Sequence, residues 1–203
     1  VGTTAASSQY RSVNDPSTQA YKKFLLVDTP GHGKLRHHAL SSITKPQNLK
    51  GVIFLVDAAS LTTDDETLRI TSEYLYDILL LLQKRMADPK ISKSTKEFNL
   101  LVAANKMDLF TALPAALVKS SLESELQKIR ASRSKGILDS GIGISDDADV
   151  DENNDWLGEV GSKEFKFSQM QEFGISVEVR GGSVIGAPEP EVEKWWNWIA
   201  EQL

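Results

Sequence analysis

Three short runs of uninterrupted apolar residues, each stopping at a polar side chain, constrain this chain more than any other feature. Residues 24–27 end at Asp28, 51–56 at Asp57 and 100–104 at Asn105. A strand with one face in water alternates apolar and polar residues, so runs without alternation belong to strands covered on both faces, as in a parallel sheet wrapped by helices. In such sheets ligands collect at the carboxyl ends of the strands. Residues 175–179 are read as a further strand. Between the runs the period changes to that of helices. Leu68, Leu75, Ile78, Leu79 and Leu82 share one face of a segment predicted helical over 64–83, and Asp64, Asp65 and Glu66 favour its start. Val118, Leu122, Leu126 and Ile129 mark a second helix. After Pro188 and Pro190, the stripe Val192, Trp196, Ile199 and Leu203 marks a third. The expectation is an α/β fold, a mostly parallel sheet with helices on both faces, in one domain spanning 1–203.

Two stretches break the pattern. Residues 141–161 are rich in Asp, Asn and Gly and poor in large apolar side chains, so a long mobile acidic insertion is expected at about 140–161. The first thirteen residues are small and polar, with only 8–13 fitting a strand. Composition adds exclusions. With 203 residues, 40% of them hydrophobic, the chain can bury one sizeable core. A net charge of -5 gives no basic field, which argues against nucleic acid as a direct partner. The absence of cysteine excludes disulfides and thiolate metal sites. No apolar run approaches the roughly 20 residues of a membrane span, and the first residues lack the basic-then-apolar layout of a signal peptide. It starts at Val1 without an initiator Met, so a longer parent protein is expected, with an upstream targeting or membrane segment left open.

The ends of the apolar runs carry the chemistry. Asn105-Lys106-Met107-Asp108 follows one of them. The Asp108 carboxylate can accept the ring N–H and the exocyclic amino group of guanine together, an edge that adenine does not offer. Asn105 can tie the loop and reach the acceptor side of the base, and the aliphatic stem of Lys106 can cover its flat face. Asp28-Thr29-Pro30-Gly31-His32 follows another run. In nucleoside triphosphatases an Asp here holds magnesium through water, and the Gly N–H senses the terminal phosphate. A polar turn explains either motif alone; the two in order, each after a strand, point to a guanine nucleotide site. His32 is a candidate for positioning the attacking water, in the place where many GTPases carry Gln, or simply an exposed residue after a turn. Lys34, Leu35 and Arg36 read as partner-facing surface.

A third loop is expected to reach the base after the strand at 175–179: Ser183 braces it and the Val184 N–H meets the guanine oxygen, with Ser176-Val177 as the rival placement. Thr3 or Thr4 is the candidate magnesium-ligating threonine. The phosphate-cradling pattern Gly-x-x-x-x-Gly-Lys-Ser/Thr does not occur in the 203 residues. The domain is therefore expected to lack its first strand, phosphate loop and first helix here.

Longer segments carry a resemblance. Asp28-Thr29-Pro30-Gly31-His32 with Lys34-Leu35-Arg36, the stretch from Glu73 to Leu79, and Asn105-Lys106-Met107-Asp108-Leu109-Phe110-Thr111-Ala112 resemble the beta subunits of the signal recognition particle receptor, small GTPases related to the Arf and Sar group. The stretches from Leu126 to Ser134 and from Lys163 to Gln169 match segments that ordinary small GTPases lack. The resemblance implies a Ras-like P-loop GTPase fold that binds GTP and Mg2+ and hydrolyses weakly. It also implies a place on the cytoplasmic face of the endoplasmic reticulum membrane, through an upstream anchor, and a switch surface docking the N-terminal domain of the receptor's alpha subunit in the GTP state. The ribosome or translocon stands as a further partner. Ser183-Val184-Ile185 departs from the Ser-Ala-Lys type of loop usual in such proteins. Three other readings stay open: a GTPase-like scaffold that works without nucleotide, another Arf/Sar-type trafficking GTPase, and an elongation-factor-type hydrolase, which expects following domains.

Overall fold

The computed structural model describes residues 23–45, 48–92, 97–139, 156–158, 162, 164–186 and 189–203. The expected strand at 8–13 and the candidates Thr3 and Thr4 lie outside the described residues, as does the insertion apart from residues 156–158. A 3-10 turn, Gly33–Leu35, leads into α1 (Arg36–Thr44), followed by β1 (Gly51–Asp57), α2 (Ser60–Thr63), α3 (Asp65–Ala87) and α4 (Pro89–Ser92). Next come β2 (Phe98–Asn105), α5 (Ala115–Asp139), a 3-10 segment over Phe167–Phe173, β3 (Ile175–Gly181) and α6 (Glu193–Glu201). The three strands form a parallel sheet in the order β1-β2-β3. Its register sets Asp57 opposite Asn105 and Ala104 opposite Gly181, so all three strands finish at one edge.

Alternation along each strand feeds two unequal layers. Phe54, Val56, Leu100, Val102, Ala104 and Ile175 point to one face, where Leu75, Ile78, Leu79 and Leu82 of α3 and Val118, Leu122, Leu126 and Ile129 of α5 close over them. Leu68 packs at the margin of this cluster. The start of α3 is set by Asp64, whose carboxylate accepts the N–H groups of Glu66 and Thr67 at 3.0 and 3.2 Å, satisfying donors that have no partner within the helix. On the other face, among the described residues, Leu101 and Ala103 cluster with Trp195 and Trp198 of α6, with Ile53, Val192 and Ile199 around them.

Three expectations are corrected. The α6 stripe is turned: Trp195 and Trp198 are buried, whereas Trp196 is 53% exposed. Both registers satisfy helical spacing from Val192, and tertiary contacts choose between them: the Trp195 indole N–H donates to the Arg180 carbonyl at 3.0 Å. Residues 24–27 form no strand, and Phe24, Leu25, Leu26 and Val27 are exposed. An apolar run becomes a strand only where a neighbour takes its backbone N–H and C=O groups, and no described strand pairs with it. Finally, residues 156–158 within the acidic stretch are packed. Leu157 is fully buried in the main core, and Gln83 binds both sides of it, donating to the Trp156 carbonyl and accepting from the Gly158 N–H, each at 2.9 Å.

Arg130 secures that return. Its buried guanidinium donates to the carbonyls of Leu157, Ser162 and Glu164, and lies 5.2 Å from the Trp156 ring and 5.7 Å from the Phe165 ring. Burial works against its charge, and three carbonyls with two aromatic faces take the place of a carboxylate partner.

Candidate nucleotide site

The common edge of the sheet gathers the residues singled out for reading a base. β2 delivers Asn105, after which the backbone turns through Lys106 at φ 65°, a left-handed conformation uncommon for a residue with a side chain. Backbone bonds hold this turn from both sides. The Ala58 N–H donates to the Asn105 carbonyl at 3.1 Å, the Met107 N–H to the Gly182 carbonyl at 3.1 Å, and the Leu113 N–H to the Ala58 carbonyl at 3.0 Å. Side chains join the two loops directly. Asn105 Oδ1 accepts the Val184 N–H at 3.0 Å. The buried Ser183 hydroxyl lies between Asp108 Oδ1 and the Ile185 carbonyl, with one proton to give to either. Asp108 itself is exposed, with one carboxylate oxygen braced by Ser183 and the other open to a ligand.

Ser183 and Val184 therefore sit against Asp108 and Asn105. The rival pair lies elsewhere, since Ser176 and Val177 oppose Asn99 and Leu100 near the opposite end of the strands. Val184 offers its N–H to Asn105 here, so for that N–H to meet a base oxygen it must be shared or released.

Asp57 escaped the sequence reading except as the end of an apolar run. Its Oδ1 accepts the N–H groups of Ala59 and Ser60 at 3.0 and 3.1 Å, and its Oδ2 accepts the Ser60 hydroxyl at 2.7 Å and Lys106 Nζ at 2.6 Å. Burial raises its pKa, but the bonds from Lys106, Ser60 and Ala59 outweigh that and bring it from 3.8 down to about 2. The pattern Asp57-Ala58-Ala59-Ser60, a capping carboxylate three residues before a hydroxyl, was the available signal for the local bonds. Nothing in it announces the lysine.

The second motif is differently placed. Asp28, Pro30, Gly31 and His32 are exposed, and a side chain added at Gly31 would meet nothing within 4 Å. His32 caps the following turn, its Nδ1 accepting the Lys34 N–H at 3.3 Å and its carbonyl the Leu35 N–H at 2.8 Å. Lys34 and Leu35 are exposed, whereas Arg36 is half-buried with its guanidinium 4.4 Å from the centre of the Tyr74 ring. Among the described residues no hydrogen bond or ion pair joins Asp28–His32 to the base loop, and no cluster of three His, Asp or Glu side chains could hold a metal ion. Nor is any described helix long and apolar enough to cross a membrane.

The family model for the signal recognition particle receptor beta subunit matches residues 1–173. The signal recognition particle receptor subunit beta of Saccharomyces cerevisiae is 32% identical over 179 residues, covering 88% of this chain and 66% of that protein, so the chain spans slightly less than two thirds of this curated relative. Among solved structures, the Chaetomium thermophilum receptor SRb-GDP-Mg is 47% identical with a TM-score of 0.71, covering 89% of this chain and 80% of its own. The SRb-GTP/SRX complex of the same organism gives 45% identity and a TM-score of 0.74, covering 90% and 68%.

Proposed function

The chain belongs to the signal recognition particle receptor beta subunit family, and from that premise we propose that it forms the guanine-reading and switch part of a GTP-gated subunit that docks the receptor's alpha subunit. The observation that carries this reading is the stitching of Asn105, Asp108, Ser183 and Val184 into one cluster of loops at the carboxyl ends of β2 and β3. Asp108 pairs with the guanine edge, the Lys106 stem covers the ring, and the loop of Ser183 and Val184 closes the acceptor side. The similarity to SRb-GDP-Mg and to SRb-GTP/SRX supports GTP, Mg2+ and an alpha-type partner.

At the phosphate end Asp28 takes the magnesium role, through water, with Thr3 or Thr4 as the second protein oxygen. One exposed carboxylate suits Mg2+, which keeps several waters and binds through one or two protein oxygens plus phosphates rather than in an all-protein cage. The nucleotide supplies the charge and acceptor oxygens that distinguish the loaded state. Gly31 offers its N–H to the terminal phosphate, His32 orients water for slow hydrolysis, and Lys34, Leu35 and Arg36 present the face that the N-terminal domain of the alpha subunit recognises. The site of action is the cytoplasmic face of the endoplasmic reticulum membrane, during targeting of nascent chains.

Nucleotide selectivity tests the reading. GTP should bind the full-length protein far better than ATP, and Asp108→Asn should move preference from guanine toward xanthine nucleotides by at least about tenfold, the value of one well-made pair. An unchanged base preference in that variant would sink the assignment.

A further inference from the structure

The base loop makes one strong contact that reading a base does not require. Lys106 Nζ lies 2.6 Å from Asp57 Oδ2, across 49 residues of sequence. Asp57 opposes Asn105 in the sheet, and its carboxylate is already fixed by Ala59 and Ser60. The lysine, by contrast, rises from a left-handed backbone at φ 65° and would otherwise be free to move in water, where a long side chain keeps most of its rotamers. The ion pair thus holds the mobile partner against a fixed one.

We propose that Asp57 is a positioning residue of the base site, holding Lys106 so that its aliphatic stem forms one wall of the slot in which the purine ring lies. The inference rests on the reading of Asn105 to Asp108 as the guanine loop. It divides the work within that loop: Asp108 meets the edge of the ring and sets which base enters, while Asp57, acting through Lys106, meets the face and sets how tightly any accepted ring is held. Affinity should change without selectivity. With side chains 50% and 32% exposed, the pair is worth at most about fivefold in binding.

Titration of the full-length protein with N-methylanthraniloyl-GDP separates this role from simple capping. Asp57→Asn keeps an oxygen for the Ala59 and Ser60 N–H groups but removes the charge, whereas Asp57→Ala removes both. The expected result is an affinity loss of about fivefold in both variants, with the preference for GDP over XDP unchanged and no further loss when either is combined with Lys106→Met. If Asp57→Asn binds like wild type while Asp57→Ala weakens, the carboxylate acts only through the turn it caps and the inference is overturned. An equal loss on the Lys106→Met background overturns it as well. Failure of the unmodified protein to bind this probe would remove the guanine-loop reading, and the inference with it.

Discussion

The two ends of the candidate site differ in how much of their shape the protein supplies by itself. At the base end, Asn105 to Asp108 are held by bonds from Ala58, Gly182, Ser183 and Val184, and a Cβ added at Gly182 would fall 2.3 Å from the Glu191 carbonyl oxygen. At the proposed phosphate end, Asp28, Pro30, Gly31 and His32 are exposed, the hydrogen bonds of His32 are local, and a Cβ at Gly31 would stand in open space. Both ends carry a glycine next to key residues, yet only one is there for packing. Loops already held in place bind without paying to order themselves, whereas a segment proposed to sense a phosphate needs two shapes and suits the less constrained part of the fold.

The largest effect is expected where the packing is tightest. Gly182→Ala should cost about 1–3 kcal/mol through forced displacement of the Glu191 and Trp195 contacts, seen as a lower midpoint in chemical denaturation; no change would mean that the base end is looser than its bonds imply. Next comes Ser183→Ala, which removes the hydroxyl bracing Asp108 and should cost about 1 kcal/mol of stability, with weaker guanine nucleotide binding in the same titration. Smaller again is the acid dependence of the Asp57 contacts. Because its folded pKa lies below the ordinary 3.8, their stabilisation is complete above that value and fades as pH falls toward about 2. The stability difference between wild type and Asp57→Asn should accordingly be flat at neutral pH and shrink only in strong acid. Smallest of all, Gly31→Ala should leave the denaturation midpoint within about 0.5 kcal/mol while lowering the preference for GTP over GDP. A large stability loss there would erase the contrast between the two ends.

The same contrast governs what could be read from the sequence. β1, β2, β3, α3 and α5 were legible because each has a pattern of its own: an unbroken apolar run in β1 and β2, alternation in β3, and apolar residues at helical spacing in α3 and α5. The run at 24–27 has the composition of a strand, but a strand is a property of a pair, and pairing is not written in one segment. The sequence alone admits Trp196 as an inward residue, because Val192, Trp196 and Ile199 fit a helix as well as Val192, Trp195 and Ile199 do; the indole bond from Trp195 to Arg180 decides between them. In the site, Asn105, Lys106 and Asp108 stood out as a contiguous motif, whereas Asp57 joins them only through the sheet register. Leu157 was hidden by its acidic neighbours, since a single apolar residue has no period to betray it.

The outward-facing Trp196 has an optical consequence. Of the three indoles on α6, two are sealed beneath the helix and will emit as rings in an apolar medium, while the third faces solvent and stands edge-on to Phe24 at 6.5 Å. Phe24 lies four residues before Asp28, so rearrangement of that turn changes the surroundings of one chromophore and leaves the other two, together with the half-buried Trp156 beside Arg130, as an internal reference. The native fluorescence spectrum thereby carries a readout of the Asp28–His32 segment without any attached dye.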